Sequence, residues 1–135
     1  VAGGSFLITE TAPADVFTPE DLPEEQRRVG QTARDFVVQD VFPVLDRIEE
    51  KDWGLTRDLL RKLGQLELLG IEVPAAYGGA ELDKVTALVV TEALSAGSLG
   101  VTVSAHVGIG MEPIVYFGTP ALRQQYLPSS SARTP

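Results

Sequence analysis

A largely apolar stretch with helical character fills residues 84–117, KVTALVVTEALSAGSLGVTVSAHVGIGMEPIVYF. Gly97 and Gly100 divide it into two segments, because a glycine costs about 1 kcal/mol in a helix interior. Both segments are apolar on more than one side, which is typical of helices that are buried inside a bundle. We therefore predict that they form a central helix pair, covered by amphipathic helices from the rest of the chain.

Helical spacing and end signals predict the other elements. Asp21 or Leu22 caps a first helix in which Pro23 takes the first position. Pro43 ends or kinks that helix, and a short helix follows to about residue 51. Thr56 caps the next helix. That helix carries an apolar stripe and ends at Gly70, and the stripe consists of Leu59, Leu60, Leu63 and Leu66.

Two later helices have clear start signals. Asp83 is predicted to cap the first helix of the central pair. Thr119 followed by Pro120 begins a last helix over residues 121–127. The fold class predicted is all-α, a bundle of about six short-to-medium helices. We expect an irregular arm over residues 1–18, with the apolar run Phe6-Leu7-Ile8, a helical domain over 19–128, and a flexible tail over 129–135.

Composition excludes several classes of function. The 135 residues include 11 basic and 19 acidic side chains, a net charge of −8, which argues against nucleic acid as a partner. No cysteine and a single histidine exclude disulfides, a thiolate metal site and a His-rich metal site, so we predict no metal. No apolar run reaches the ~18 residues of a membrane span.

Few side chains offer catalytic chemistry. His106 lies between alanine and valine, and its expected role is a core or interface histidine. Glu92 and Glu112 stand in apolar surroundings, where a carboxyl with a raised pKa is a candidate general base. The simpler interpretation, which we favour, is that each reaches solvent or caps a neighbouring helix.

Small residues recur between positions 97 and 110, and they allow two interpretations. They either let two helices pack closely or leave an apolar slot between them. Close packing is the safer interpretation, and a slot for a thin chain is the sharper one. The residues are Gly97, Ser98, Gly100, Ser104, Ala105, Gly108 and Gly110.

Three segments resemble the acyl-CoA dehydrogenase family in order and spacing. Residues 69–80, LGIEVPAAYGGA, are similar to the loop after the family's third helix. Residues 104–119, SAHVGIGMEPIVYFGT, are similar to its fifth helix and the following turn. Residues 119–128, TPALRQQYLP, resemble its G-(T/N)-x-x-Q-(K/R)-x-x-(Y/W)-L-P segment, although Arg123 replaces the usual glutamine.

The resemblance implies the N-terminal helical domain of an FAD-dependent enzyme that oxidises an acyl-CoA to the trans-2-enoyl-CoA. It implies that the flavin contacts and the catalytic glutamate lie in middle and C-terminal domains outside these residues. We therefore expect no catalytic residue in this chain, no activity of the 135 residues alone and no FAD held by them alone. Implied partners are the acyl-CoA, those other domains and further copies in a homo-oligomer.

Position by position, the resemblance places Val101, Ala105 and Ile109 on the helix face that forms one wall of the acyl slot. Tyr77, Gly78 and Gly79 form either a substrate-side turn or only a turn. The arm and Ala105-His106 look most similar to the long-chain and very-long-chain branch, so we expect a long acyl group.

A second hypothesis is a non-enzymatic all-α module for association or acyl binding. It would have to cover the apolar faces that the other domains cover in the family. No export signal is recognised, which favours bacterial cytoplasm, or the mitochondrial matrix in a eukaryote.

Overall fold

Helices are the only regular elements in residues 8–130, the part of the chain that a computed structural model describes, with side chains to residue 128. This confirms the all-α prediction. The described part of the arm has two short 3₁₀ turns, Pro13–Asp15 and Pro19–Asp21. The Thr18 amide and hydroxyl donate to the Asp21 carboxylate at 2.8 and 3.0 Å, which closes the second turn. Phe6 and Leu7 of the predicted apolar run lie outside the described residues.

The first helix continues through a proline instead of ending there. Helix α1 spans Glu24–Phe36, widens into a π-helical segment at Val37–Val41, tightens into a 3₁₀ turn at Phe42–Val44 and continues as α2, Leu45–Glu49. Its cap position is Pro23, one or two residues later than predicted. Pro43 has no N–H to donate to the carbonyl of Gln39, and the wide turn before it accommodates this missing bond.

Helix α3, Trp53–Gln65, differs from the prediction at both ends. Its cap is Asp52, whose Oδ1 accepts the amide of Leu55 at 3.0 Å. Thr56 lies inside the first turn, and its hydroxyl donates to the Asp52 carbonyl. The helix also ends earlier than Gly70, because Glu67 adopts a left-handed conformation with φ of 63°. This turn carries Leu68 and Leu69 into the core.

The remaining elements follow the prediction closely. Asp83 caps the next helix as predicted, with its Oδ1 accepting the amide of Thr86 at 2.8 Å. The last helix begins at Pro120 and continues through Ser130, beyond the expected end at Leu127. The elements after α3 are a 3₁₀ turn at Ala75–Tyr77, α4 at Lys84–Ser95, α5 at Gly100–Ser104, a π-helical segment at Ala105–Met111, α6 at Glu112–Phe117 and α7 at Pro120–Ser130.

The core lies between α1, α3, α4 and the helix formed by α5 and its π-helical segment, which we call the 100–111 helix. Helix α4 packs most extensively on α1 and then on α5. It contributes Val90 and Leu94, both almost fully buried, and α3 contributes Leu63. No helix in residues 8–130 is both long and apolar enough to cross a membrane.

Candidate functional site

The 100–111 helix has two apolar faces, and the described chain covers only one of them. Val103, Val107 and Met111 are buried against the core. Val101 and Ile109 are 84% and 80% exposed, and Ala105 between them is exposed as well. The spacing of four residues places these three predicted site residues on one face. The exposed face is therefore apolar, and we call it the 101/105/109 face.

Two glycines in the α4–α5 turn stand where neighbouring atoms leave little room for a Cβ. A Cβ added at Gly100 would lie 2.6 Å from the Cα of Ser95, and one at Gly97 would lie 2.9 Å from Cγ1 of Val41. Ser98 between them adopts a φ of 60° and donates its hydroxyl to Oε1 of Glu49 at 2.5 Å. At this end of the helix pair, close packing is the correct interpretation of the small residues.

Gly108 supports the second interpretation of the small residues, an apolar slot between two helices. A Cβ added there would meet no heavy atom within 4 Å, so this glycine does not serve close packing. A cleft of about 160 Å³ separates α4 from the 100–111 helix beside it. Its sides are formed by Ala87, Leu88, Thr91, Ser104, Val107 and Gly108. The small residues thus pack closely at the turn and leave space further along.

An ion cluster stands at the far end of this cleft. The ammonium of Lys84 contacts both carboxylate oxygens of Glu72, at 2.7 Å and 2.8 Å. It also pairs with the carboxylate of Glu112. We call these three residues the Lys84 cluster. It joins the loop before α4, the first residue of α4 and the first residue of α6.

The predicted Tyr77-Gly78-Gly79 turn is held by backbone geometry. Gly78 has a φ of 84°, which favours glycine. A Cβ on Gly79 would lie 2.0 Å from the carbonyl oxygen of Val73. Tyr77 packs against the core, and the 3₁₀ turn that contains it contacts α7. Both glycines therefore have a structural reason, and this turn and the 101/105/109 face are built by different elements.

The other candidate groups differ in their surroundings. Glu92 is exposed, in agreement with the interpretation that it reaches solvent. Glu112 is held by Lys84 and does not cap a helix. His106 is half-buried, next to buried Val107. The interaction that sequence reasoning missed is the Lys84 cluster, because no periodicity relates positions 72, 84 and 112.

The chemistry of the 101/105/109 face fits an apolar chain rather than a dinucleotide. Residues 100–111 contain neither lysine nor arginine. A diphosphate is held by charge-assisted hydrogen bonds from such side chains or by backbone amides at a helix N-terminus. This face offers apolar contact and no cationic side chain, so it does not supply the diphosphate contacts of the FAD that the resemblance implies.

Comparison with known proteins identifies the family. The family described as "Acyl-CoA dehydrogenase, N-terminal domain" matches residues 23–133. The chain belongs to this family. A probable acyl-CoA dehydrogenase of Bacillus subtilis is 43% identical to this acyl-CoA dehydrogenase N-terminal domain over 127 residues, which are 93% of the chain and 21% of that protein.

Two further relatives extend the comparison. The crystal structure of an acyl-CoA dehydrogenase from Bacillus anthracis, complexed with FAD, superposes with a TM-score of 0.89 at 41% identity, over 96% of this chain and 23% of that one. The mitochondrial short-chain specific acyl-CoA dehydrogenase of Bos taurus is 32% identical over 83% of this chain and 27% of its own length. The acyl-CoA dehydrogenase N-terminal domain described here thus spans between a fifth and three tenths of these relatives.

Proposed function

We propose that this domain forms one wall of the acyl-binding slot in an FAD-dependent enzyme that oxidises an acyl-CoA to the trans-2-enoyl-CoA. The observation that carries the proposal is the 101/105/109 face, which is apolar and exposed in a domain of the acyl-CoA dehydrogenase family. A hydrocarbon chain laid on such a face is removed from water, which contributes about 0.8 kcal/mol for each buried CH₂.

The redox chemistry belongs, in this proposal, to parts of the enzyme outside these residues. FAD, when bound, supplies the acceptor for the hydride that leaves the β-carbon. The FAD in the Bacillus anthracis structure supports its presence. The residues of this chain bind and orient the acyl group and exclude water from it. Acyl-CoA, the remaining domains and further copies of the enzyme are the proposed partners.

We propose that the acyl group of the substrate is long, because small residues stand in and beside the proposed wall. Ala105 has the smallest possible side chain with a Cβ, and a Cβ at Gly108, three residues further along the helix, would meet no heavy atom within 4 Å. Neither position holds a group that would stop a long chain. The names of the relatives do not favour this choice, since they include short-chain specific and isovaleryl-CoA dehydrogenases.

The Tyr77-Gly78-Gly79 turn is a second proposed substrate-side element. Its support is the sequence resemblance, since both glycines already have backbone roles. Tyr77 is therefore the position to test. Bacterial and mitochondrial relatives support the bacterial cytoplasm or the mitochondrial matrix as the proposed compartment.

The decisive experiment enlarges Ala105 in a full-length enzyme that carries this domain. Ala105→Phe adds a ring to the wall, and Ala121→Phe adds the same ring to an exposed position on α7 as the control. We expect Ala105→Phe to lower kcat/KM for hexadecanoyl-CoA about tenfold or more relative to butanoyl-CoA. An unchanged ratio in Ala105→Phe would show that this face does not contact the acyl chain.

A further inference from the structure

The Lys84 cluster connects three elements that are distant in sequence. Glu72 belongs to the loop before α4, and its side chain is only 11% exposed. Glu112 begins α6 directly after the π-helical segment, and its side chain is 27% exposed. The ammonium of Lys84, 50% exposed, stands between the two carboxylates.

The charges of the cluster make the ammonium necessary for its geometry. Two carboxylates converge on one position, so without the ammonium they repel each other. Glu72 has little contact with water that would replace the lost partner, and an ion pair broken at such a site leaves an uncompensated charge. We therefore expect the loss of Lys84 to push the two carboxylates apart.

The position of the cluster determines what would move. Helix α4 and the 100–111 helix run in opposite directions from the turn at Gly97 and Gly100. Close packing fixes their separation at that turn. Further along, the cleft of about 160 Å³ beside Gly108 lies between them, and the buried side chains of Ala87 and Val107 belong to its lining. The Lys84 cluster lines the far end of the cleft and is a polar connection between α4 and the end of the 100–111 helix.

We propose that Lys84 is a positioning residue, which fixes the far end of the 100–111 helix against α4 and thereby sets the width of the acyl slot. The part that concerns the slot rests on the proposed function. The part that concerns the helix position does not.

The position of the helix can be measured on the 135-residue chain itself. The chain has no cysteine, so Arg28→Cys on α1 and Ile109→Cys introduce two unique sites for spin labels. Helix α1 packs on α4 and serves as the reference. In the Lys84→Met variant we expect the distance distribution to shift or broaden by about 1–2 Å or more, and Lys84→Arg is expected to restore it.

Two further variants keep this test interpretable. Glu112→Gln removes only the charge on the side of the 100–111 helix, and it gives the same readout if Lys84→Met does not fold. Arg61→Met is the control, because it breaks the exposed Asp58–Arg61 pair on α3, which is separate from the cluster. A distribution that is the same in Lys84→Met, Glu112→Gln and the wild type overturns the proposal.

Kinetics of a full-length enzyme carrying this domain test the consequence for the slot. We expect Lys84→Met to change the ratio of kcat/KM for hexadecanoyl-CoA to that for butanoyl-CoA about fivefold or more, and Lys84→Arg to return it to the wild-type value. A ratio that stays constant while only the melting temperature falls contradicts the positioning role. If the wild-type enzyme oxidises no acyl-CoA, the proposed function fails, and the spin-label result still decides the helix position.

Discussion

Gln26 donates its side-chain amide to both carboxylate oxygens of Asp83, at 3.1 and 2.9 Å. The same carboxylate accepts the amide and the hydroxyl of Thr86, at 2.8 and 2.7 Å, and so caps α4. The Asp83 side chain therefore caps the N-terminus of α4 and ties that helix to α1. These hydrogen bonds hold the pKa of Asp83 below its ordinary value of 3.8, and the bond from the Thr86 amide has the largest effect.

The lowered pKa of Asp83 predicts a loss of stability in acid. Because folding favours the ionised carboxyl, its stabilisation is present above 3.8, the unfolded value, and is lost as the pH falls through the lower folded pKa. Asp83→Asn retains a capping side chain but cannot ionise. We expect urea midpoints at about pH 6 and about pH 3 to differ less in Asp83→Asn than in the wild type.

Asp46→Asn is the control for this measurement, since it neutralises an exposed carboxylate in α2. Its pH dependence is expected to follow that of the wild type more closely. Identical curves for Asp83→Asn and the wild type would mean that the bonds to Thr86 and Gln26 do not persist in solution.

Two leucines of the same predicted stripe should differ in their contribution to stability. Leu63 is fully buried, whereas Leu66 is 37% exposed because α3 ends just before it. Leu63→Ala removes buried methyl groups and leaves a cavity, so we expect a loss of about 2–5 kcal/mol in the free energy of unfolding. Leu66→Ala is expected to lose about 1 kcal/mol or less. Equal losses by urea denaturation would argue that α3 continues past Gln65.

Gly79 and Gly108 form a matched pair for alanine substitution. Gly79→Ala places a Cβ against the Val73 carbonyl, and the loop would have to open, at a cost of about 3 kcal/mol or more. Gly108→Ala enters open space in a helix and is expected to be neutral or to stabilise by up to about 1 kcal/mol. Thermal unfolding of both variants checks this. A strongly destabilised Gly108→Ala protein would show that the cleft beside it is filled.

Local signals predicted much of the fold. The Asp83 cap and the division at Gly97 follow from neighbouring residues and are confirmed, as is the α3 stripe except for Leu66, which lies beyond the end of the helix and is exposed. The α3 cap did not follow, because Asp52 and Thr56 are both good capping residues. The end of α3 was misjudged for a similar reason, since the burial of Leu68 and Leu69 selects Glu67 for the left-handed position.

The candidate site was predictable only in part. The family resemblance singled out Val101, Ala105 and Ile109, and the structure shows that the three side chains are exposed on one helix. The Lys84 cluster was out of reach, because its members are brought together by tertiary packing from three separate elements. A pairing of this kind leaves no mark in the spacing of a single sequence.

Pro43 and Pro113 each stand two residues after a π-helical segment ends, at Val41 and at Met111. A π-helical turn holds about one residue more than an α-helical turn. Each segment can therefore be regarded as a single-residue insertion that a continuous helix has absorbed. Relatives with an unbroken α-helix at either place are expected to align with a one-residue gap there. Across such a gap the side chains are rotated by about 100°. The residues of a relative that correspond to the 101/105/109 face are therefore identified correctly only when the gap is placed at the π-helical segment.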